Sequence, residues 1–195
     1  MSPHPRVGRE HILDTAENLF TEHGYKSASI REIARACGVT NAAIYYHFPD
    51  KESLFTEVMQ RHAERLRDCM TRAGEAAESP REKVIAILGA YIDAIAGQHA
   101  PIFMLRKEAH QLKKRNMHRG RLMGTISQPL VETLHLAQQT SQIRDVPSAA
   151  ESAAIFLGML HGLAQQRRAS GVEGRAISEE DIRMIVDLFW EGMEK

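Results

Sequence analysis

The stretch that most constrains this chain is residues 29–54, which read SIREIARACGVTNAAIYYHFPDKESL. Ser29 and Glu32 have the spacing of a capping box, which opens a helix. Gly38 stands where that helix must end, because glycine takes the left-handed conformation at little cost. Thr40 is then the N-cap of a second short helix. Helix, tight turn and helix predict a helix-turn-helix unit, whose second helix enters the major groove of DNA.

Length and composition limit the other possibilities. The chain has 195 residues, enough for one large or two small domains. It contains no apolar stretch of about 18 residues and no apolar N-terminal run, so we expect neither a membrane span nor a signal peptide. The two cysteines lie in predicted helices, which favours a reduced, cytoplasmic setting. The formal net charge is zero, so binding to DNA must depend on where charges lie and not on their sum.

Hydrophobic periodicity predicts helices along the rest of the chain and no strand. The fold class is therefore all-α, with about nine helices. The predicted segments are 9–23, 30–37, 41–47, 50–72, 80–96, 101–114, 122–139, a helix opened by Ser148 and Glu151, and a last helix opened by Ser178 and Asp181.

The last two predicted helices are unusually apolar. Residues 149–164 are rich in alanine, glycine, leucine and phenylalanine, and residues 182–193 carry isoleucine, valine, phenylalanine and tryptophan. Small side chains let another helix approach closely. The pattern favours a four-helix dimer interface, with two helices from each subunit. The alternative is a monomer that buries both helices internally.

The motif resembles the signature of the TetR family of bacterial transcriptional regulators. The residues that carry the resemblance are Gly38-Val39-Thr40, Ile44-Tyr45-Tyr46-His47-Phe48 and Lys51-Glu52-Ser53-Leu54. The resemblance covers about residues 8–55, and the remainder agrees only in length and helical character. One departure is Cys37, where a small or long apolar residue is usual; a buried thiol packs as a small hydrophobe.

The resemblance implies a domain division and a function. It implies an N-terminal three-helix helix-turn-helix DNA-binding domain at 1–55 and a C-terminal helical ligand-binding and dimerisation domain at 56–195. We expect a homodimeric repressor that a small hydrophobic ligand releases from a partly palindromic double-stranded DNA operator. The effector stays unidentified at this point. The alternative is a ligand-independent or corepressor-dependent DNA-binding protein of the same fold.

The family motif also assigns candidate DNA contacts. One group should meet the groove, where Asn41 can pair with adenine and an alanine methyl can touch a thymine methyl. A second group matches phosphate-contacting positions. Tyr46 is ambiguous, because one of the two tyrosines should face DNA and the other can pack on the core. The candidates are Thr40, Asn41, Ala42 and Ala43 for the groove, and Ser29, Arg31, Tyr45, His47 and Lys51 for phosphates.

Candidates for a ligand pocket are aromatic and methionine side chains of the C-terminal domain, and an anionic ligand group would lie near Arg106. Each candidate can equally be an ordinary core residue. They are Tyr91, Ile95, Phe103, Met104, Arg106, Met123, Ile126, Phe156 and Met159.

No cofactor, metal or enzymatic activity is expected. Two histidines eight residues apart, His110 and His118, are too few for a zinc site. The sequence contains no glycine-rich phosphate loop, no His-Glu-x-x-His and no Cys-x-x-Cys motif.

Overall fold

We describe a computed structural model of the chain over residues 8–96, 115–140, 142–171 and 177–193. These residues form helices and connecting turns, with no strand among them. No helix in this part of the chain has the length and apolarity needed to cross a membrane. The helices are α1 Arg9–Ser27, α2 Ile30–Cys37, α3 Asn41–His47, α4 Lys51–Glu75, α5 Pro80–Ala96, α6 Arg115–Gln139, α7 Ala149–Ala169 and α8 Glu179–Met193.

Side-chain caps mark where most of these helices begin. In each case a serine, threonine or aspartate accepts a hydrogen bond from a backbone N–H of the first turn, which would otherwise lack a partner. The helix starts predicted at Ser29, Thr40, Ser148 and Ser178 are therefore confirmed. The capping residues are Ser29, Thr40, Asp50, Ser79, Ser148 and Ser178, for α2, α3, α4, α5, α7 and α8 respectively.

Three helices differ in extent from the prediction. Helix α1 extends to Ser27, past the predicted end at residue 23, with non-helical dihedral angles at Gly24. Helix α4 continues to Glu75, past the predicted end at residue 72. Helix α6 begins at Arg115, not at residue 122, and runs through Gly120. A glycine inside a helix costs only about 1 kcal/mol, which neighbouring turns readily offset. Helix α6 also continues through Pro129. The predicted helix at 101–114 lies outside the described residues.

The chain forms two compact units. Among the described residues, the first contains 8–63 and 115–122, and the second contains 64–96 and the described residues from 123 onward. Helix α4 supplies residues to both units. The domain boundary at 55/56 stays a prediction.

The core of the first unit joins α1, α2, α3 and the start of α4. Helix α1 contacts α2, and α2 contacts α3. The buried side chains follow the helical period on each helix, so each helix turns one apolar face inward. They are Ile12, Leu13, Ala16 and Phe20 of α1, Ile30, Ile33, Ala34 and Cys37 of α2, Ile44 of α3, and Leu54, Phe55, Val58 and Met59 of α4.

In the second unit, α8 contacts both α5 and α7. The rings of Phe156 and Phe189 lie 4.4 Å apart between their centroids. Arg167 near the end of α7 binds Asp181 in the first turn of α8 through two hydrogen bonds of 2.5 and 2.7 Å. The Asp181 carboxylate also accepts hydrogen bonds from the backbone N–H and the hydroxyl of Ser178, the N-cap of α8, so one carboxylate holds the two helices together and completes the capping box.

Candidate nucleic-acid interface

The N-terminus of α2 is closed by a reciprocal capping box. The backbone N–H of Ser29 donates to Glu32 Oε2 at 2.7 Å, and the backbone N–H of Glu32 donates to Ser29 Oγ at 3.2 Å. The pKa of Glu32 lies below its ordinary value, because the backbone N–H and then the hydroxyl of Ser29 donate to its carboxylate. Glu32 is therefore ionised and engaged at the helix end.

Gly38 makes the turn between α2 and α3. Its backbone is left-handed, with φ 69° and ψ 27°, and its N–H donates to the carbonyl of Arg35 at 3.1 Å. Val39 N–H then donates to the carbonyl of Ala34 at 2.9 Å. A Cβ at position 38 would meet no atom within 4 Å. Glycine is thus favoured here by backbone conformation and not by lack of space.

Helix α3 is held by two inward side chains. Thr40 Oγ1 accepts a hydrogen bond from Ala43 N–H at 3.3 Å, which starts the helix. Ile44 of α3 and Phe48, the extended residue that directly follows α3, are both buried. With only seven residues in α3, this one face is enough to hold the helix on the core, and its remaining positions are left to solvent.

Both tyrosines of α3 are exposed. Tyr45 is 51% exposed and Tyr46 is 86% exposed. Neither packs on the core, so Tyr46 does not take that alternative. The reason is helical geometry: positions 45 and 46 are rotated by about 100° and 200° from the buried Ile44. The Tyr46 ring meets the edge of the His47 ring at a centroid distance of 5.0 Å. Two large rings on an outward face are unusual for a surface that only meets water.

The other candidate contacts on this unit are open to solvent or half-buried. Ala43, His47 and Lys51 are half-buried. The remainder, Ser29, Arg31, Thr40, Asn41 and Ala42, are exposed. The structure thus leaves the whole predicted set within reach of a binding partner, and their roles stay predictions.

Arg35 is a candidate that the sequence analysis missed. Arg31 and Arg35 are exposed on α2, and neither guanidinium group forms a hydrogen bond or salt bridge with another residue of the described ranges. Both guanidinium groups border a concave surface of about 410 Å³ at the start of α3. The i, i+4 spacing of these two arginines was the available signal. The concavity is lined by Arg31, Glu32, Ala34, Arg35, Val39, Thr40 and Asn41.

Lys51 lies at the first position of α4, four residues after α3 ends. Its Nζ donates to the carbonyl oxygen of Lys26 at 3.3 Å. The same Nζ lies 4.4 Å from the centroid of the Tyr25 ring, within the range of a cation–π contact.

Polar pairs between α1 and α4 complete the first unit. Arg61 Nη2 donates to Asp14 Oδ1 at 2.7 Å, and His62 Nε2 lies 3.2 Å from Glu17 Oε1. The apolar faces of α1 and α4 also pack against each other, so polar pairs and apolar contacts together join the two helices.

The sequence of this unit matches a known family. Residues 12–58 match the family described as bacterial regulatory proteins, tetR family. This segment of the chain is thus similar to the DNA-binding segment of the TetR family. The match contains the capping box, the left-handed glycine, α3 and the first residues of α4, so the resemblance noted from the sequence is confirmed.

Helix-turn-helix transcriptional regulators are similar to longer or shorter parts of the chain. The HTH-type transcriptional repressor KstR2 of Mycolicibacterium smegmatis is 30% identical over 108 residues, 55% of this chain and 53% of that protein. The regulator AcrR of Shigella flexneri is 54% identical over 52 residues, 27% of this chain and 24% of AcrR. This chain thus spans about half, or less, of the length of these curated relatives.

A solved structure extends the likeness to the whole fold. The transcriptional regulator FadR from Bacillus subtilis, solved in complex with stearoyl-CoA, has a TM-score of 0.73 and 16% identity, over 96% of this chain and all of FadR. At this identity the comparison concerns the fold alone. The all-α prediction, with an N-terminal helix-turn-helix unit followed by a helical C-terminal region, is confirmed.

The predicted pocket residues are distributed unevenly in the second unit. Tyr91, Ile126 and Phe156 are buried. Ile95 and Met123 are half-buried, while Met159 is 37% exposed. Met159 therefore lies at the surface of this unit in a single chain. Phe103, Met104 and Arg106 lie outside the described residues.

The buried Tyr91 has a polar partner that the sequence analysis did not name. Its hydroxyl lies 2.5 Å from Nε2 of His161 on α7. The residues are 70 positions apart in the chain, so no local pattern relates them. Among the described residues, no group of three or more histidine, cysteine, aspartate or glutamate side chains is arranged to hold a metal ion.

Proposed function

We propose that this protein is a TetR-family regulator that binds DNA sequence-specifically, a repressor that a small hydrophobic ligand releases from its operator. The observation that carries the proposal is the outward face of α3. A seven-residue helix, fixed by a capped turn and two buried side chains, presents Asn41, Tyr45 and Tyr46 to solvent. Such a helix can enter a major groove without any rearrangement of the core.

The relatives agree with this proposal. KstR2 is named as a repressor and AcrR as a transcriptional regulator, and neither name describes an enzyme. A regulator of this kind acts on chromosomal DNA, so we expect it in the cytoplasm.

The DNA-binding step is tested by selecting bound duplexes from a random pool with the full-length protein. We expect a partly palindromic site with half-sites about one helical turn, ~34–36 Å, apart, because a two-fold dimer presents two copies of α3. Lys51→Ala should weaken binding to all sequences and reduce the salt slope by about one unit. Asn41→Ala should relax preference at one base pair, by about 1–3 kcal/mol of discrimination. Selection of no common sequence would reject the proposal.

The homodimer is supported by apolar side chains left exposed on the last two helices. Contiguous exposed apolar surface of this kind marks interfaces. Gly158 and Gly162 of α7 are also exposed, and a Cβ at either would meet nothing within 4 Å, so a partner helix can approach the backbone closely. The exposed apolar residues are Ile155 at 41%, Met159 at 37%, Met184 at 48% and Leu188 at 68%.

Release by ligand rests on the continuity of α4. This helix begins next to α3 and supplies residues to both compact units, so a ligand bound in the second unit can act on α4 directly. A ligand that prefers the released state a hundredfold would shift the equilibrium by about 2.7 kcal/mol. The fold accommodates stearoyl-CoA in FadR of Bacillus subtilis, which supports a ligand with a long apolar part.

The release mechanism is tested on the selected operator. Operator affinity is measured with and without long-chain acyl-CoA, free fatty acid and other apolar metabolites, while binding to the second unit is followed by fluorescence of Trp190. We expect one class to bind and to lower operator affinity. If every bound compound leaves that affinity unchanged, the protein acts independently of ligand. If a compound raises it, the protein depends on a corepressor.

A further inference from the structure

We infer that Tyr25 is a positioning residue for DNA binding, which holds the Lys51 ammonium where it meets a backbone phosphate. The inference rests on the proposed function, because it gives a role to a side chain beneath the DNA-facing surface. It concerns a residue that belongs to α1, outside the turn, the recognition helix and the start of α4.

Two contacts of the Lys51 ammonium involve neighbouring residues of α1. The Nζ atom lies 4.4 Å from the Tyr25 ring centroid and donates to the Lys26 carbonyl at 3.3 Å. A lysine side chain has four rotatable bonds and otherwise samples many positions at a surface. Two contacts at its tip restrict it to few. The ring attracts the charge of the whole ammonium and requires no particular N–H, so Nζ can donate to a phosphate while the ring contact persists.

The ring itself is held from behind. Tyr25 lies 4.7 Å from Phe55 and 6.0 Å from Phe20 between ring centroids, and Phe20 meets Phe55 edge-on at 5.2 Å. Phe20 and Phe55 are fully buried. Lys51 and Phe55 are four residues apart on α4, so they lie on the same face of that helix. The aromatic cluster thus fixes the orientation of the surface that Lys51 meets.

A break in α1 brings Tyr25 to this place. Gly24 has φ 78° and ψ 164°, a positive-φ conformation that side chains rarely adopt, and it interrupts the helix. Beyond it, Tyr25 and Lys26 follow a changed direction, and the ring and the Lys26 carbonyl both meet α4. The predicted first helix, 9–23, stops just before this break, whereas in the structure α1 resumes beyond it, and the residues there carry both Lys51 contacts.

Helix electrostatics indicate that this position of the lysine needs support. The N-terminus of a helix carries partial positive charge, so a cation at the first position of α4 is unfavourable there. An aromatic face and a carbonyl oxygen both offset that repulsion. They keep a positive charge at a place where an anion, such as a phosphate, would be attracted both by the lysine and by the helix end.

The test is a double-mutant cycle on the full-length protein with the operator obtained by selection. Operator affinity is measured by fluorescence anisotropy for the wild type, Tyr25→Leu, Lys51→Ala and the double variant. Tyr25→Phe is the matched control, because it keeps the ring and its packing. We expect Tyr25→Leu to weaken binding about 2–5-fold and Tyr25→Phe to leave it within about 1.5-fold of the wild type. In the Lys51→Ala background, Tyr25→Leu should change affinity by less than about 1.5-fold.

The outcomes separate the positioning role from a structural one. If Tyr25→Leu weakens binding equally with and without Lys51, the ring serves only the packing of α1 on α4, and the inference is wrong. It is also wrong if Tyr25→Leu has no effect in the wild-type background. If the wild type selects no DNA sequence at all, the proposed function fails instead.

A second measurement does not depend on how the variants fold. In the wild type, ring current from Tyr25 should shift the Hε protons of Lys51 upfield, both in the free protein and on the operator. Loss of that shift when DNA binds would overturn the inference, because the ring would then compete with phosphate for the ammonium.

Thermal unfolding of each variant is recorded beside the affinities, and Tyr25→Met replaces Tyr25→Leu if the leucine variant is not folded.

Discussion

Gly38→Ala tests how the turn positions the recognition helix. The residue has φ 69° and ψ 27° between α2 and α3. A non-glycine residue in the left-handed region costs about 1–2 kcal/mol, because its Cβ approaches the following carbonyl oxygen. No clash is added, because a Cβ here would meet no other atom within 4 Å. Alanine also reduces the entropy of the unfolded chain, which offsets about 0.4–1 kcal/mol.

The net expected loss of stability for Gly38→Ala is therefore about 1 kcal/mol. Gly124→Ala provides the matched control, since Gly124 lies inside helix α6 and a Cβ there also meets nothing within 4 Å. In a helix the same substitution should stabilise by about 0.5–1 kcal/mol. One chemical change thus has opposite signs at two open positions, with a difference of about 1.5–2 kcal/mol between the variants. Gly38→Asn should fall between wild type and Gly38→Ala, because asparagine tolerates the left-handed region better.

The assay is urea unfolding followed by circular dichroism, with hydrogen exchange of the amides of α2 and α3 as the local measurement. Exchange protection of these two helices should fall in Gly38→Ala by a factor of about 5, which corresponds to about 1 kcal/mol. Operator affinity should fall by no more than this factor, since the outward side chains are unchanged. The reasoning is refuted if Gly38→Ala is as stable as the wild type, or if both alanine variants change stability in the same direction.

Three further changes probe the core, the connection between α7 and α8, and the proposed dimer. Ile44→Ala removes the fully buried anchor of α3 and should cost about 2–5 kcal/mol in urea unfolding; a loss below about 1 kcal/mol would mean that α3 is not held by this side chain. Asp181→Ala removes the carboxylate that accepts from Ser178 in the capping box of α8 and leaves Arg167, 33% exposed, without its bidentate partner, so we expect a loss of about 2–3 kcal/mol at neutral pH. Hydrogen bonds, chiefly from Arg167, hold the pKa of Asp181 well below its ordinary value, although desolvation opposes this shift. The stability that the Asp181 carboxylate contributes is therefore complete above the unfolded pKa of about 4 and is lost as the pH falls toward the folded pKa. Equal losses from Asp181→Ala at neutral and strongly acidic pH would contradict this prediction. Leu188→Asp should convert a dimer to monomers in light scattering, while Val146→Asp, at a still more exposed apolar side chain in the loop between α6 and α7, should not. Dissociation in both variants, or a wild-type monomer at micromolar concentration, would refute the interface.

Local chemistry determined much of this protein, and the sequence alone was sufficient to predict it. The starts of α2, α3, α5, α7 and α8 follow from capping residues that act within one helical turn. The end of α2 follows from Gly38, because one backbone conformation at one residue closes the helix. The inward positions Ile44 and Phe48 follow from the helical period. Each depends on residues at most four apart, so reading along the chain reveals them.

The tertiary structure decided what depends on distant residues meeting. Lys51 reaches Lys26 across 25 positions, and Tyr91 reaches His161 across 70. Tyr46 faces solvent because α3 turns its Ile44 side inward, and that orientation depended on how α3 packs on α2. The periodicity of α7 predicts an apolar helix, but only packing against α8 separates the buried Leu160 from the exposed Met159. A sequence records which side chains are apolar; which of them are covered is set by the neighbouring helices, because burial is a property of pairs of surfaces and not of single residues.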